Sequence, residues 1–387
     1  MAETQTLPPA KPRYVYIDLL RGWAVLVMIE THVFNAFMQP LIRDTPWFRT
    51  LNFINGIVAP SFLFVAGYSF ALVGQRKWND YLQLKGVFWK QVGRILQIWI
   101  VGYALHLPFF SFNKLAYLIG WEEWRPFWGV DVLHCIAFSL MLMLLLVVLG
   151  RTKKVFLPLV AVVGVLVVFT TPLLWSANID NLFSLPYASY INAQHGSLFP
   201  LFPWLGFVFF GGAVGQVFAL VKERMGEKEF FKYTFIAGIG CIVISIIAEL
   251  QPLKLYPPHE FWRASPGFFL IRLGIVLIIF STLWLWEQTA KSGRSVVSLL
   301  GSESLVTYSG HLLIIYGLFW GGRSLSQLIG STRSVPEVVG MTALLIGAMA
   351  AAAFVWNSLK KKSMLYARVL QYSILIVVLY IFFTKPY

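Results

Sequence analysis

Four ionisable side chains, Asp18, Arg21, Glu30 and His32, lie in one apolar stretch near the N-terminus, residues 14–38. The stretch is long enough to cross a bilayer, where an ionisable group costs roughly 2.5–3.5 kcal/mol on insertion scales. Such groups therefore face a protein interior or a wet cavity, and they are candidates for function. Imidazole exchanges protons near neutral pH and guanidinium binds anionic oxygens, so we expect proton transfer or anion binding here.

The spacing of these residues sharpens that expectation. Arg21 and His32 are eleven positions apart, so on a helix they share one stripe about 16 Å apart along the axis. Asp18 precedes Arg21 by three positions, which permits a self-neutralising ion pair. The alternative is that Arg21 faces an anionic ligand or a carbonyl oxygen. His32 is either a hydrogen-bonded core residue or a general base.

Two further clusters carry polar groups in apolar surroundings. Asp131 and His134 lie three apart in WGVDVLHCIAFSL, where the carboxylate either orients the imidazole or forms a purely structural hydrogen bond. His311 follows Tyr308 by three positions in GSESLVTYSGHLLIIYG, and core packing is its simplest interpretation. The chain has no HExxH or CxxC spacing, so no metal is expected.

The composition indicates which elements must position these residues. The chain has 387 residues, of which 58% are hydrophobic and only 12% charged, whereas a soluble domain carries about 25% charged residues. We therefore expect an all-α, polytopic membrane helix bundle. The net charge of +14 is then a matter of loop topology, and no nucleic-acid partner is expected.

About 11 apolar segments reach the length of about twenty residues that a transmembrane helix needs. They lie near 14–38, 53–73, 91–110, 130–149, 155–175, 198–220, 230–249, 267–286, 298–320, 336–356 and 369–383. Lys and Arg concentrate in alternate loops, among them 151–154, 222–228 and 360–362, which predicts an inside N-terminus and an outside C-terminus. We expect a cytoplasmic tail, 1–13, and a single transmembrane domain, 14–387.

This orientation assigns a depth to each candidate. It places Asp18, Arg21 and Arg94 near the inner end, His32, Asp131 and His134 nearer the outer end, and His311 around mid-segment. Two stretches rich in Gly and Pro, 59–68 and 199–215, either let helices approach closely or line a cavity, and packing is the preferred interpretation.

Six motifs in chain order resemble a known group of membrane acyltransferases, comprising the heparan-alpha-glucosaminide N-acetyltransferase-like bacterial proteins and acyltransferase family 3. They are DLLRG from Asp18, APSFLFVAGY from Ala59, GRILQIWIVGYALHL from Gly93, DVLHCIAFSL from Asp131, FPLFPWLGFVFFGG from Phe199 and LGSESLVTYSGH from Leu300. In family 3 an arginine in the first span also precedes a histidine by eleven positions, and Arg21 and His32 have the same spacing here.

The resemblance implies a cytoplasmic acyl-CoA donor, with acetyl-CoA expected, and a glycan or lipid-linked sugar acceptor at the outer side of a bacterial inner membrane. It implies His32 as the catalytic residue with Arg21 beside it, and we expect Lys85, Lys90 and Arg94 to bind the phosphates of coenzyme A. Asp18, Asp131, His134 and His311 are further catalytic candidates. The lysosomal enzyme carries its active histidine in the loop before the second span, whereas the corresponding residues here, 50–60, contain none.

The alternative function is a multi-pass transporter or permease with a buried Arg/His/Asp substrate or proton site. Transporters share the charged groups at depth and the Gly/Pro-broken helices seen here. They often show internal repeats, and none is apparent along this sequence.

Overall fold

The computed structural model describes residues 14–117, 120–177, 179, 182–251, 255–290, 295–318 and 322–385. Within these ranges the chain is helical, with no β-strand, so the predicted all-α fold class is confirmed. The helices are α1 (Val15–Phe37), α2 (Pro40–Arg43), α3 (Pro46–Asn55), α4 (Val58–Leu82), α5 (Gly86–Leu105), α6 (Phe112–Tyr117), α7 (Arg125–Trp128), α8 (Val132–Gly150), α9 (Lys153–Ser176), α10 (Leu185–Ile191), α11 (Leu201–Met225), α12 (Glu227–Leu250), α13 (Phe261–Ala264), α14 (Pro266–Ala290), α15 (Val296–Ser302), α16 (Ser304–Tyr316), α17 (Leu325–Ile329), α18 (Val335–Lys362) and α19 (Met364–Thr384). The predicted tail, 1–13, lies outside the described residues.

Eight helical spans in the described part of the chain are long and apolar enough to cross a membrane, which supports the predicted polytopic bundle. Three other predicted segments take different forms. Helix α1 has 23 residues but carries charged side chains, and α5 has 20 residues with two cations. The segment predicted at 298–320 is divided at Glu303 into α15 and α16. The number eleven and the orientation remain predictions.

Helix α1 lies at the centre of the bundle. It packs against α4, α14, α15, α16 and α18, so most of its length is buried. Its first backbone N–H groups, at Val15 and Tyr16, donate to the two carboxylate oxygens of Glu287 on α14 at 3.1 and 2.7 Å. A negative group suits a helix N-terminus, where N–H groups lack intrahelical partners. This contact fixes the start of the helix that carries Arg21 and His32.

Glycines allow the central helices to touch backbone to backbone. A Cβ built on Gly22 of α1 would lie 1.9 Å from the carbonyl oxygen of Val297 on α15. A Cβ on Gly67 of α4 would lie 1.8 Å from the carbonyl oxygen of Val208, and one on Gly211 would lie 2.0 Å from that of Phe64. The packing role predicted for the two Gly-rich stretches is therefore confirmed, since small residues permit close helix approach.

Candidate active site

The imidazoles of His32 and His311 meet inside the bundle. His32 projects from α1 and His311 from α16, and their ring centroids are 5.2 Å apart with an interplanar angle of 43°. Tyr316, on the last turn of α16, lies edge-on to His32 at 5.9 Å. His32 is partly exposed and His311 is fully buried. The packing of α1 on α16 thus joins two of the sequence candidates into one site.

The hydrogen bonds of His311 define what its ring can do. Its Nδ1 lies 2.8 Å from the carbonyl oxygen of Thr307, one turn earlier on α16, so Nδ1 carries a hydrogen and donates it. In a neutral ring the lone pair then resides on Nε2. Nε2 is buried and has no hydrogen-bond partner among the described residues. His311 therefore presents a basic nitrogen within the interior of the protein.

Tyr308 ties the start of α8 to α16. Its hydroxyl donates to Oδ2 of Asp131 at 2.5 Å, and both side chains are buried. The other carboxylate oxygen, Oδ1, accepts from the backbone N–H of Val132 at 2.6 Å. Tyr308 also packs edge-on to His311, with ring centroids 5.8 Å apart. The Asp131–Tyr308 pair therefore holds α16, and with it His311, against the N-terminus of α8.

The contact between Asp131 and His134 is not the carboxylate–imidazole contact that their spacing suggested. Asp131 is the N-cap of α8 rather than a residue on its face, and the two residues form a reciprocal capping box. The ring of His134 is oriented by the backbone N–H of Asp131, which donates to Nδ1 at 3.1 Å, and not by the carboxylate. In a neutral ring Nε2 of His134 then carries the hydrogen, so this histidine is a donor where His311 is an acceptor. His134 also packs against His106, with ring centroids 5.4 Å apart.

Arg21 occupies the opposite, predicted inner part of α1. It forms the predicted ion pair with Asp18, with Nη1 3.9 Å from Oδ1, and its Nη2 donates to Oγ of Ser69 on α4 at 2.8 Å. Between Arg21 and His32 the same stripe carries Val25 and Met28, which are 0% and 5% exposed. Arg21 and His32 thus share a helix face, but apolar side chains fill the space between them.

The basic residues predicted to bind coenzyme A lie together at the start of α5. Lys85 is its N-cap, and Lys90 and Arg94 are one turn apart on the helix. All three side chains are exposed. They form a small cationic surface that is open to a large anionic ligand.

Sequence reasoning did not place two polar contacts of the site. Ser69 binds Arg21 across two helices, and no spacing in the sequence relates them. Tyr308 was visible only as a neighbour of His311, whereas its bond to Asp131 joins positions 177 residues apart. Glu30 lies beside Asn55. Within the described ranges, no group of three or more His, Cys, Asp or Glu side chains could hold a metal ion.

Comparison with known proteins supplies one family match. The family model described as "Heparan-alpha-glucosaminide N-acetyltransferase, catalytic" matches residues 13–246. The match spans more than half of the chain and includes Arg21, His32, Asp131 and His134. His311 lies beyond it. No curated protein matches this sequence.

Proposed function

Because this chain belongs to the family of the heparan-alpha-glucosaminide N-acetyltransferase catalytic domain, we propose that it transfers an acetyl group from acetyl-CoA across a membrane. The donor binds at the inner face of a bacterial inner membrane. The acceptor is a glycan or a lipid-linked sugar at the outer side. The meeting of His32 and His311 in the bundle interior is the observation that carries this proposal.

The histidine pair supplies the base that acyl transfer needs. The oxygen or nitrogen of the acceptor attacks the thioester carbonyl carbon, so a C–O or C–N bond forms as the C–S bond breaks. An imidazole takes the acceptor's proton and returns it to the departing thiolate. His32, which is partly exposed, contacts the acceptor, and the buried Nε2 of His311 lies behind it. In the alternative sequence His32 carries the acetyl group briefly as a nucleophile.

The groups at the predicted inner end hold the donor. Lys85, Lys90 and Arg94 attract the phosphates of coenzyme A, and exposure leaves them free to do so. Arg21, held by Asp18 and Ser69, meets the pantetheine or thioester end. Since about 16 Å separates Arg21 from His32 along the helix, Arg21 positions the donor rather than touching the acceptor. For direct attack the pantetheine arm must carry the thioester past Val25 and Met28 to His32, so these two buried side chains must shift.

Asp131, Tyr308 and His134 position the pair. The Asp131–Tyr308 bond fixes α16 against α8, and His134 completes the cap that holds Asp131 in place. A base must lie within hydrogen-bond reach of the proton that it takes, so a small displacement of α16 reduces the rate.

The test is acetyl transfer by the purified protein. We expect labelled acetyl-CoA to give acetylated glucosamine-type acceptor with the natural sequence. His32→Ala and Arg21→Ala should reduce the rate to background, while His195→Ala, a histidine in the loop after α10, should retain it. Full activity in both variants would remove the proposed mechanism, and no transfer by the natural sequence would favour the transporter.

A further inference from the structure

Arg272 is a cation inside the membrane-spanning helix α14. In the described part of the chain its Nε is buried without a hydrogen-bond partner, and no carboxylate forms an ion pair with it. Its guanidinium instead packs over the ring of Phe268 at 3.8 Å and lies 5.3 Å from the ring centre of Trp204. A charge at membrane depth without a partner is costly, and such residues mark ligand sites by default.

The guanidinium is held in place by three elements. Phe268 lies one turn before Arg272 on α14, Trp204 belongs to α11, and Nη2 approaches the backbone at Gly56, after α3. A Cβ at Gly56 would lie 2.8 Å from Nη2, so the absence of a side chain leaves the space that the guanidinium uses. The cation is therefore fixed by packing rather than left to reach freely into solvent.

A second arginine lines a cavity together with Arg272. Arg263 on α13 and Arg272 line one small cavity together with Trp204 and Phe268. Arg263 also lines a groove of about 390 Å³, where its guanidinium lies 5.5 Å from the ring centre of Trp175. Glu260 pairs with Arg263 at 3.3 Å, and both of these side chains are exposed. The groove and the small cavity thus have Arg263 as a common lining residue, and Arg272 lines the cavity beside it.

The depth of the pair indicates an amphiphilic ligand. Arg272 is six residues into α14, or about 9 Å from its start. Trp262 beside Arg263 is 59% exposed, and exposed tryptophans concentrate at the interface between lipid headgroups and acyl chains. An anionic group at this level is most simply the headgroup of a lipid.

We propose that Arg272 and Arg263 bind the phosphate of a membrane lipid at the predicted outer side of the bundle. Guanidinium suits phosphate because its planar donors engage two oxygens at once. Trp204 and Phe268 exclude water from the contact, and Trp175 lies at the mouth of the groove. The lipid is either an ordinary anionic phospholipid or a lipid-linked sugar phosphate, and its use as the acceptor rests on the proposed function.

The experiment measures lipid binding to the full-length protein in detergent by native mass spectrometry. The probes are phosphatidylglycerol, an isoprenoid lipid phosphate and uncharged diacylglycerol. We expect the first two to bind and the third not to bind. Arg272→Gln should weaken the binding of both phosphate lipids about tenfold or more, as expected for the loss of a charge-assisted hydrogen bond. Arg49→Gln, which removes an exposed cation from α3, should leave binding unchanged.

Equal binding of diacylglycerol by the natural sequence, or unchanged phosphate-lipid binding in Arg272→Gln, would overturn the site. If Arg272→Gln does not fold, Arg263→Gln decides, with weaker binding of both phosphate lipids expected and unchanged binding contradicting the site. The rate of acetyl transfer shows whether the bound lipid is an ordinary phospholipid or a lipid-linked sugar phosphate. Arg272→Gln should slow transfer to a lipid-linked sugar but not to soluble glucosamine. If Arg272→Gln and the natural sequence acetylate the lipid-linked sugar at equal rates, the site binds an ordinary phospholipid. If the natural sequence acetylates neither acceptor, the proposed function is rejected, but the lipid site is not.

Discussion

The two ring nitrogens of His311 have different surroundings, and this difference separates it from His134. His311 donates through Nδ1 and keeps a lone pair on Nε2, whereas His134 accepts through Nδ1 and so carries its hydrogen on Nε2. A neutral ring of the first kind can take a proton, and one of the second kind can only donate. Of the two, His311 is therefore the residue that we propose as the partner of His32 in proton transfer.

We predict that His311→Ala lowers kcat by about 10²–10⁴-fold, the usual range for a group in acid–base catalysis. The protein should still fold, because the contact of Nδ1 with Thr307 is local to α16. Acetyl transfer at saturating donor and acceptor measures the effect, and His195→Ala serves as the control. An unchanged kcat in His311→Ala would exclude this residue from the reaction.

Tyr308→Phe tests the bond between α16 and α8. The change leaves one oxygen of the buried Asp131 carboxylate without its donor, which should lower stability by about 1–3 kcal/mol. We expect kcat to fall while KM for acetyl-CoA stays the same, since the proposed donor site lies at the other end of α1. Thermal unfolding and steady-state kinetics measure the two effects. Tyr366→Phe, on the exposed surface of α19, is the matched control, and equal stability of the two variants would contradict the role of the bond.

Part of the site could be predicted from local spacing, and part could not. Asp18 and Arg21 lie three apart, so their ion pair follows from helix geometry alone. The pairing of His32 with His311 depends on how α1 packs against α16, across 279 positions, and no periodicity encodes such a contact. For the same reason the alignment of Arg21 with His32 was visible, but the burial of Val25 and Met28 between them was not.

At the scale of elements, the position of α1 depends on its backbone contact with α15. Gly301 of α15 approaches α1 so closely that a Cβ there would lie 1.9 Å from the carbonyl oxygen of Asp18. Gly22 makes the reciprocal approach to Val297. These contacts set the position of α1 along its axis relative to the rest of the bundle, and therefore the positions of Arg21 and His32.

Gly22→Ala should separate α1 from α15 and destabilise the protein by about 1–3 kcal/mol, as overpacking does. Gly347→Ala on α18 is the control, because a Cβ there would meet nothing within 4 Å. Thermal unfolding in detergent measures both variants. Replacement of an open helical glycine by alanine should be neutral or slightly stabilising. If Gly22→Ala proved as stable as Gly347→Ala, the close crossing would be wrong.

Helix α5 provides the second prediction at this scale. Neutralising its exposed cations in Lys90→Gln/Arg94→Gln should raise KM for acetyl-CoA several-fold with little change in kcat, because the charges only attract the donor. The difference in KM between this variant and the natural sequence should be smaller at high salt, because salt screens exposed charges. Lys228→Gln at the start of α12 is the control. An unchanged KM would remove α5 from the donor site.

The boundaries of elements were predicted less well than their existence. The first segment was expected at 14–38 and is found as Val15–Phe37, where the backbone becomes extended at Tyr14 and at Met38. The segment at 298–320 was expected to be continuous. Instead the chain turns at Glu303, whose carboxylate pairs with Lys360 of α18. That pair forms between distant parts of the chain, so the sequence pattern alone does not reveal the break.

At the scale of the whole molecule, charge is distributed unevenly along the predicted membrane normal. Arg21 with Asp18, the cations of α5 and the pair of Glu303 with Lys360 belong to the predicted inner end. The histidine pair lies farther along α1, and Arg272 lies near the start of α14. The proposed donor and acceptor sites thus belong to opposite predicted ends of α1, which is the arrangement that the proposed transfer across a bilayer requires.

Sealed proteoliposomes test that central claim most directly. The vesicles contain protein whose predicted inner end faces the lumen. Labelled acetyl-CoA is enclosed in these vesicles, and a membrane-impermeant glucosamine acceptor is added outside. The acetylated product is then measured. We predict product outside only when the donor is inside, and none from His32→Ala. Equal transfer with donor and acceptor both outside, or no transfer in any arrangement, would contradict the account.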